Sequence, residues 1–283
     1  MTHPVSSFVE LPWSGARVRI EVQRIAPATP RADAPTLVFL HEGLGSVAMW
    51  RDFPQRLCDA AGVHGIVYSR PGYGRSTPRA VHERWGLDFM HRQAHELLPA
   101  LLDALQVDRN AQPPWLLGHS DGGSIALLHA ARFPRQVAGA VVMAPHLFVE
   151  DVSIASIQQA RHHYEHTDLR QRLARYHDDP DSAFFGWNDI WLDPPFARWT
   201  IEAEIAPITC PLLALQGIDD EYGTLQQIRA IARHVPHTAL VELPQCGHSP
   251  HRDQPARVID EITRFIAAHP FPAKTRCADH SAA

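Results

Sequence analysis

The sequence predicts an α/β protein with a mostly parallel, twisted sheet of about eight strands and helices on both faces. Two observations carry this prediction. Short, continuously apolar runs rich in β-branched residues recur along the 283-residue chain, which is typical of parallel strands buried on both faces. Helical patterns separate these runs, and strands that alternate with helices form a parallel sheet wrapped by helices.

The elements are expected in the following order. The segments FVELPW (8–13) and ARVRIEVQRI (16–25) alternate between apolar and polar residues, so two antiparallel edge strands should come first. Buried strands follow at TLVFLH, GIVYS, WLLGH, AGAVVMA, PLLALQG and TALVELP. Helices are expected over 50–61, 87–107, 120–132, 224–234 and 252–268, and Pro99 should kink or divide the second of these.

One interval interrupts this alternation. Residues 146–207 show no strand pattern but are rich in large aromatic side chains. A structureless loop of that length is improbable inside a compact domain, so we expect a helical insertion over the sheet. Its aromatic residues either form its own core or line a pocket. Residues 1–145 and 208–269 then make up the main domain, and 270–283 form a disordered tail.

Composition and charge exclude several classes of function. The formal net charge of −5 argues against nucleic acid, whose phosphates need a basic face. No apolar run approaches the ~18 residues of a membrane span, and the N-terminus lacks the pattern of a secretory signal. The four scattered cysteines, Cys58, Cys210, Cys246 and Cys277, indicate free thiols of a reducing compartment. We expect a cytoplasmic monomer or homodimer whose partner is a small-molecule substrate.

Histidine is unusually frequent, with 19 residues. His162 and His166 lie four residues apart, where a helix would align two metal ligands, but the H-E-x-x-H order of a zinc site is missing. We interpret the pair as solvated helix residues. No metal and no cofactor is expected.

The segment WLLGHSDGGS carries the first sign of chemistry. Gly118-x-Ser120-x-Gly122 follows an apolar strand and precedes a helical run, which is the context of a nucleophile elbow. The strained turn lifts the serine hydroxyl out at the carboxyl edge of the sheet. A phosphate-binding loop would need G-x-x-x-x-G-K-[ST], and no lysine is present. The dinucleotide fingerprint G-x-G-x-x-G is also unmatched.

A serine nucleophile needs a base that is oriented by a third group. In this architecture the acid and then the histidine should follow the serine along the chain. Asp219 and Asp220 come just past one strand, and His248 comes just past the next. We favour Asp220 over Asp219, and His248 over His251 because His248 directly follows a glycine at the strand end.

A tetrahedral intermediate also needs preorganised hydrogen-bond donors for its oxyanion. One should be the backbone N–H of Asp121, the residue after the nucleophile. The second should come from the glycine-containing loop HEGLGSVAMW after the strand TLVFLH. We assign it to Gly43, with Leu44 as the alternative.

Together these residues carry a resemblance to the α/β-hydrolase superfamily, from about residue 8 to residue 268. LHEGLGS resembles the family's H-G-x-x-G-S oxyanion loop, and YSRPGYGRS resembles its D-x-x-G-x-G-x-S turn. GHSDGG is similar to its elbow, QGIDD to its G-x-x-D acid turn, and GHSPHRDQP to its G-H-x-P-x-x-E-x-P histidine turn. The resemblance implies the α/β-hydrolase fold, Asp220 as the acid by spacing from Gly217, and a helical cap inserted after the sixth strand.

Two of these motifs depart from the family pattern. Glu42 replaces the glycine usual after the oxyanion-loop histidine, which leaves the donor in that loop open. Ser69 and Arg70 replace the aspartate-led start of the R-P-G-Y-G-R-S turn, and we interpret that turn as structural.

The identity of the nucleophile narrows the class of reaction. Haloalkane dehalogenases and epoxide hydrolases of this superfamily use an aspartate at the elbow, and Ser120 argues against both. A serine implies attack on a carbonyl, an acyl-enzyme, and hydrolysis by water activated through His248. A carboxylic ester, thioester, lactone or activated amide fits this chemistry, and we expect a carboxylesterase-like enzyme.

Two alternatives stay open. Carbon–carbon bond hydrolases of the meta-cleavage-product type share the serine triad, but they usually carry a tryptophan shortly after the catalytic histidine, which GHSPHRDQP lacks. Some α/β-hydrolase-like proteins bind ligands in the capped pocket with little turnover, although these often lose a triad member.

The pocket should be mostly apolar and take a small to medium acyl or aryl group. We expect Trp50 on the oxyanion-loop side, and Trp187 and Trp191 from the insertion, to line it. His146 either enters this pocket as a polar contact or hydrogen-bonds a backbone carbonyl. No arginine or lysine cluster indicates an acidic substrate.

Overall fold

The computed structural model describes residues 6–31, 34–80 and 82–270. The tail predicted at 270–283 therefore lies outside the described residues from 271 onward, and Cys277 with it. The strands of the described part are β1 (Ser7–Trp13), β2 (Ala16–Ile25), β3 (Leu37–Leu40), β4 (Gly65–Tyr68), β5 (Trp115–His119), β6 (Gly139–Met143), β7 (Leu212–Gly217) and β8 (Ala239–Leu243).

These strands form one eight-stranded sheet in the order β1–β2–β4–β3–β5–β6–β7–β8. β2 pairs antiparallel with both β1 and β4, and all the other neighbours are parallel. Every residue of β3 to β7 is buried, because helices cover both faces of the sheet. β8 lies at the sheet edge and is only partly buried. The predicted α/β fold with a mostly parallel sheet is confirmed.

The helices of the described part are α1 (Phe53–Ala61), α2 (Phe89–Arg92), α3 (Leu98–Ala104), α4 (Asp121–Arg132), α5 (Asp151–His166), α6 (Leu169–Leu173), α7 (Pro180–Trp191), α8 (Gln226–His234), α9 (Pro250–Asp253) and α10 (Pro255–Ala268). α1 and α10 share one hydrophobic cluster with alternate residues of the central strands. α2, α3, α4 and α8 share the second cluster with the strand residues in between. Successive side chains of a strand point to opposite faces, so the two clusters are the two faces of the sheet.

Three predicted helices differ in their bounds for local reasons. A short 3-10 helix and Arg51, whose φ is +55°, precede α1. The helix around Pro99 is divided as expected, with a π-helical stretch at Gln93–Leu97 between α2 and α3. This wider turn accommodates a residue that has no N–H and whose ring would crowd the preceding turn. Pro255 likewise separates α9 from α10 at Gln254.

The insertion between β6 and β7 is helical, as predicted, and we call it the cap. It contains α5, α6, α7 and a 3-10 helix at Pro194–Arg198. Some of its aromatic residues form its own core: the rings of Tyr164 and Phe184 stack with centroids 3.8 Å apart. Trp187 and Trp191, on α7, instead face the sheet edge described next.

The topology brings the predicted site residues together at one edge of the sheet. Parallel strands end at a common edge, and loops at their carboxyl ends form the sites of such folds. The loop after β3, the elbow after β5, the cap after β6 and the loops after β7 and β8 all start there. Within the described ranges, no helix has the length and apolar character that crossing a bilayer requires.

Candidate active site

Ser120 occupies the turn between β5 and α4 in a left-handed backbone conformation. Its φ is +52° and its ψ −121°, a region that residues with side chains rarely adopt. A Cβ at Gly118 would overlap the carbonyl oxygen of Gly122, and a Cβ at Gly122 would overlap that of Leu40. The two glycines of G-x-S-x-G therefore make room for a strained turn that presents the serine.

Ser120, His248 and Asp220 form a chain of hydrogen bonds. The Oγ of Ser120 lies 2.9 Å from Nε2 of His248. Nδ1 of His248 lies 2.8 Å from Oδ1 of Asp220, whose side chain is buried. The structure therefore brings together the serine, the histidine and the favoured acid, whereas Asp219 is exposed to solvent.

Further hydrogen bonds hold Asp220 in its orientation. Its Oδ1 also accepts the backbone N–H of Tyr222 at 2.9 Å, and its Oδ2 accepts Nε2 of Gln216 at 3.1 Å. A carboxylate that accepts on both oxygens is fixed as an acceptor toward His248, so Nδ1 of the imidazole carries the proton and Nε2 is free to accept one from Ser120.

The pKa shifts within this chain of hydrogen bonds suit His248 as a base and Asp220 as its partner. Burial lowers the pKa of His248, but the hydrogen bond and charge of Asp220 outweigh it and raise the pKa above its ordinary value. Burial raises the pKa of Asp220, but the hydrogen bond and charge of His248 outweigh it, so the net shift is downward. Asp220 is thus an anion that stabilises the protonated form of His248.

The two backbone N–H groups predicted to bind an oxyanion, those of Gly43 and Asp121, make no backbone hydrogen bond within the described part of the chain. Gly43 lies in the loop after β3 and borders the cavity described below, and Asp121 begins α4. A side chain at position 43 would overlap the indole of Trp187, so only glycine fits beneath the cap.

A cavity of about 100 Å³ opens at Ser120. Loops of the main domain and helices of the cap both contribute to its wall. Its lining residues are Glu42, Gly43, Leu44, His119, Ser120, His146, Ile157, Trp187, Trp191, Tyr222, His248 and Ser249. The predicted residues His146, Trp187 and Trp191 are among them.

Trp50 does not line this cavity, which corrects the sequence-based expectation. Its indole is buried in the core on the α1 and α10 face, with ring centroids 6.0 Å from Phe53 and 4.9 Å from His251. The 3-10 turn before Arg51 directs the indole into that core. His251, the alternative base, is buried in the same contact.

His146 is a buried, neutral wall of the cavity. Its ring packs against Trp191 with centroids 4.9 Å apart. Burial, assisted by the nearby His248, lowers the pKa of His146 to about 3. Its Nδ1 has no hydrogen-bond partner in the described part of the chain, so the alternative of a bond to a backbone carbonyl is not realised through that atom.

Glu42 is one of the lining residues, and its carboxylate lies close to two basic side chains. Its Oε2 lies 3.5 Å from Nδ1 of His119 and its Oε1 lies 3.4 Å from Arg252. Burial raises the pKa of Glu42, but these partners outweigh it and hold the pKa well below its usual range. The lining residues of the cavity, all in the described part of the chain, include no lysine or arginine.

The other departure from the family pattern is compensated by a neighbouring strand. Ser69 stands where the turn usually has an aspartate, and its Oγ donates to Oε2 of Glu21 at 2.8 Å. Glu21, on β2, also accepts the backbone N–H of Arg75. Ser69 in turn accepts the N–H of Val47 at 2.9 Å, which ties this turn to the loop after β3.

Sequence reasoning missed several cavity residues. His119, Ile157, Tyr222 and Ser249 were not selected, although His119 and Ser249 are direct neighbours of Ser120 and His248 along the chain. That adjacency was the available signal. Ile157 has no comparable signal, because only the packing of α5 brings it to the cavity.

The histidine pair at 162 and 166 lies away from this site. The two rings stack with centroids 4.3 Å apart on the exposed face of α5. No group of three or more metal-ligating side chains that could hold an ion occurs in the described ranges.

The fold, the turn that presents Ser120 and the strand order together define a class of protein. Comparison with known proteins agrees with this class. The model of the alpha/beta hydrolase family matches residues 37–261, so the chain belongs to that family.

The individual relatives are distant. The chain is 26% identical to a 2-succinyl-6-hydroxy-2,4-cyclohexadiene-1-carboxylate synthase of Enterobacter sp. (strain 638), over 82% of this chain and 92% of that protein. It is 24% identical to a 2-hydroxy-6-oxo-6-phenylhexa-2,4-dienoate hydrolase of Burkholderia cepacia, over 75% and 80%. The crystal structure of a proline iminopeptidase from Mycobacterium smegmatis superposes with a TM-score of 0.74 at 19% identity, over 94% and 98%, which shows the shared fold.

Proposed function

We propose that this protein is a serine hydrolase that cleaves carboxylic esters, thioesters or lactones with a small, uncharged acyl group. The observation that carries the proposal is the hydrogen-bond chain from Asp220 through His248 to Ser120 at the floor of a small cavity. This arrangement of nucleophile, base and orienting acid serves acyl transfer on unrelated folds.

The reaction follows from the geometry. The Oγ of Ser120 attacks the carbonyl carbon while its proton passes to Nε2 of His248, and Asp220 stabilises the imidazolium that forms. The N–H groups of Gly43 and Asp121 receive the oxyanion. His248 then gives its proton to the departing alcohol, which leaves an acyl group on Ser120. Water, deprotonated by His248, attacks this acyl-enzyme, and the acid is released as Ser120 regains its proton.

The cavity limits the size of the acyl group. Pockets for drug-sized ligands measure about 300–1,000 Å³. This one measures about 100 Å³ and is walled by Trp187, Trp191 and Ile157. A short acyl chain fits such a space, and a long one does not.

The charge of the cavity limits the acyl group further. Glu42 lines the cavity as an anion paired with Arg252, and no lysine or arginine lines the described wall, so an anionic substrate would find no cationic partner in that wall. The carboxylate and the dienoate named for the two relatives are both anions. Carbon–carbon bond hydrolysis of a dienoate therefore has less support here than hydrolysis of a neutral ester.

The test is labelling with a fluorophosphonate probe, read by intact mass and by peptide mapping. We expect one adduct on Ser120 in the wild type, none in Ser120→Ala, and normal labelling in Ser7→Ala, a matched serine change on the distant strand β1. A wild type that forms no adduct contradicts the proposal. Turnover of p-nitrophenyl acetate is then compared with turnover of 2-hydroxy-6-oxo-6-phenylhexa-2,4-dienoate, the compound named for the second relative. A preference for this dienoate would contradict the proposal that the acyl group is uncharged.

A further inference from the structure

The carbonyl oxygen of Glu42 accepts three hydrogen bonds. The donors are the backbone N–H of Gly45 at 3.0 Å, Nδ1 of His41 at 2.7 Å and Nη2 of Arg70 at 2.8 Å. A carbonyl oxygen has two lone pairs, so three donors saturate it. The orientation of this one peptide group is therefore strongly determined.

The same peptide group carries the N–H of Gly43. A trans peptide is planar, and its N–H points opposite to its C=O. Donors that fix the direction of the Glu42 carbonyl therefore also fix the direction of the Gly43 N–H, and Gly43 borders the cavity. A charged donor on the carbonyl also polarises the peptide, which makes its N–H a stronger donor.

Arg70 reaches the other side of the oxyanion site as well. Its side chain is 0% exposed, and Nη2 lies 3.8 Å from Oδ2 of Asp121, whose side chain is also 0% exposed. The backbone N–H of Asp121 is the second expected oxyanion donor. One guanidinium, placed by the turn after β4, thus contacts the residues that supply both donors.

Arg70 is poorly explained as a stabilising residue alone. Its Nε and Nη1 have no hydrogen-bond partner within the described ranges, although its guanidinium carbon lies 4.7 Å from the ring centroid of Tyr73. Burying a charge with unpaired donors is costly, and well-packed apolar residues often replace buried ion pairs without loss of stability.

We propose that Arg70 is a positioning residue of the oxyanion hole: together with His41 and the N–H of Gly45, it holds the Glu42–Gly43 peptide so that the Gly43 N–H faces the substrate carbonyl. The inference rests on the proposed hydrolase function. It assigns Arg70 a role in the transition state that the sequence-based interpretation of its turn as structural did not include.

A competing role is charge balance for Asp121, and a double variant separates the two. Arg70→Met leaves Asp121 buried without its counter-charge, which destabilises the fold whichever role is correct. Arg70→Met combined with Asp121→Asn removes both charges, while the side-chain oxygen that accepts Nε1 of Trp191 and the backbone N–H at position 121 remain. If Arg70 served only charge balance, the double variant would recover activity.

The experiment measures the thermal midpoint, kcat and KM for p-nitrophenyl acetate in wild type, both variants and Arg70→Lys. Removing one oxyanion donor costs about 100- to 1,000-fold in kcat, so we expect misorientation of one donor to cost about 10- to 100-fold. KM should stay within about threefold, because the interaction is made in the transition state. In the double variant the thermal midpoint should recover and kcat should not. Arg70→Lys should recover part of kcat, since an ammonium can still donate to the Glu42 carbonyl but lacks the planar fork of a guanidinium.

The acid limb of the kcat/KM pH profile provides a further readout. It reports on His248, whose partners include Asp220, Glu221 and Glu42. The charge of Asp121 also interacts with His248, but Asp220 supplies the hydrogen bond, so the limb should move much less in the double variant than in Asp220→Asn. A double variant with wild-type kcat, or one whose acid limb moves as far as that of Asp220→Asn, overturns the assignment of Arg70 while leaving the hydrolase proposal intact. A wild type that neither labels nor turns over ester overturns both.

Discussion

Replacing Asp220 by asparagine tests the orientation of His248. The change keeps the volume of the side chain but replaces one acceptor oxygen by an NH₂ donor. Oδ1 accepts from His248 and Tyr222, and Oδ2 accepts from Nε2 of Gln216. An asparagine can satisfy only one of these two sides. If its oxygen faces Gln216, its NH₂ opposes the Nδ1–H of His248 and favours the wrong tautomer.

The expected loss of activity is large, because the variant loses both the orientation of His248 and the negative charge beside it. Precedent for an Asp→Asn change in a serine triad is about 10⁴-fold in kcat, or about 5 kcal/mol of transition-state stabilisation. The pH profile should move as well. His248 must be deprotonated to act as the base, so kcat/KM rises with pH through its pKa. In the wild type Asp220 places that limb above the ordinary histidine value, and without its charge the limb should move to lower pH.

The assay is steady-state hydrolysis of p-nitrophenyl acetate from about pH 5 to about pH 9 for Asp220→Asn and Asp219→Asn side by side. Asp219 is exposed, so its variant is the matched control and should retain near-wild-type kcat and the wild-type acid limb. The reasoning is refuted if the two variants lose comparable activity, or if Asp220→Asn retains more than about a tenth of wild-type kcat.

Three further predictions concern the cavity and the elbow. Wild-type kcat/KM for p-nitrophenyl esters should fall beyond about four acyl carbons. Trp187→Ala should shift the optimal acyl length to longer chains, whereas the control Trp13→Ala, on β1, should not. An unchanged optimal acyl length in Trp187→Ala contradicts the role of the cap wall. We next compare kcat/KM for an ester with a carboxylate on its acyl group with kcat/KM for the neutral ester. Glu42→Gln should raise the ratio of these two values about tenfold, because it removes a like charge. An equal ratio in wild type and variant would exclude Glu42 as the selective group. Gly122→Ala should lower the thermal midpoint and abolish labelling, because its Cβ would overlap the carbonyl oxygen of Leu40; full activity in a normally stable variant would contradict this packing.

The parts of the site that depend on local pattern were predictable. Gly118 and Gly122 around Ser120 indicate an elbow, because the turn has steric needs that only glycine meets. The meeting of serine, acid and histidine follows from parallel strands that end at one edge of the sheet. The fold and its cap were accessible for the same reason: continuous apolar runs and the missing strand pattern after β6 are features of single segments.

The parts that depend on packing between distant segments were not predictable. Trp50 and Trp187 look alike in sequence, yet one fills the core beside α1 and the other faces the cavity. Tyr164 and Phe184 pair with each other within the cap, which no periodicity reveals. The bond from Arg70 to the Glu42 carbonyl joins two loops whose approach is set by the order of β4 and β3 in the sheet.

The central claim is that Ser120 becomes acylated. The most direct measurement is intact mass spectrometry of the protein quenched in acid during turnover of p-nitrophenyl acetate. We predict an acetyl adduct on the peptide that contains Ser120, at higher occupancy when deacylation is slowed, and none in Ser120→Ala. Ester turnover that persists in Ser120→Ala, or an adduct confined to another residue, would contradict the account.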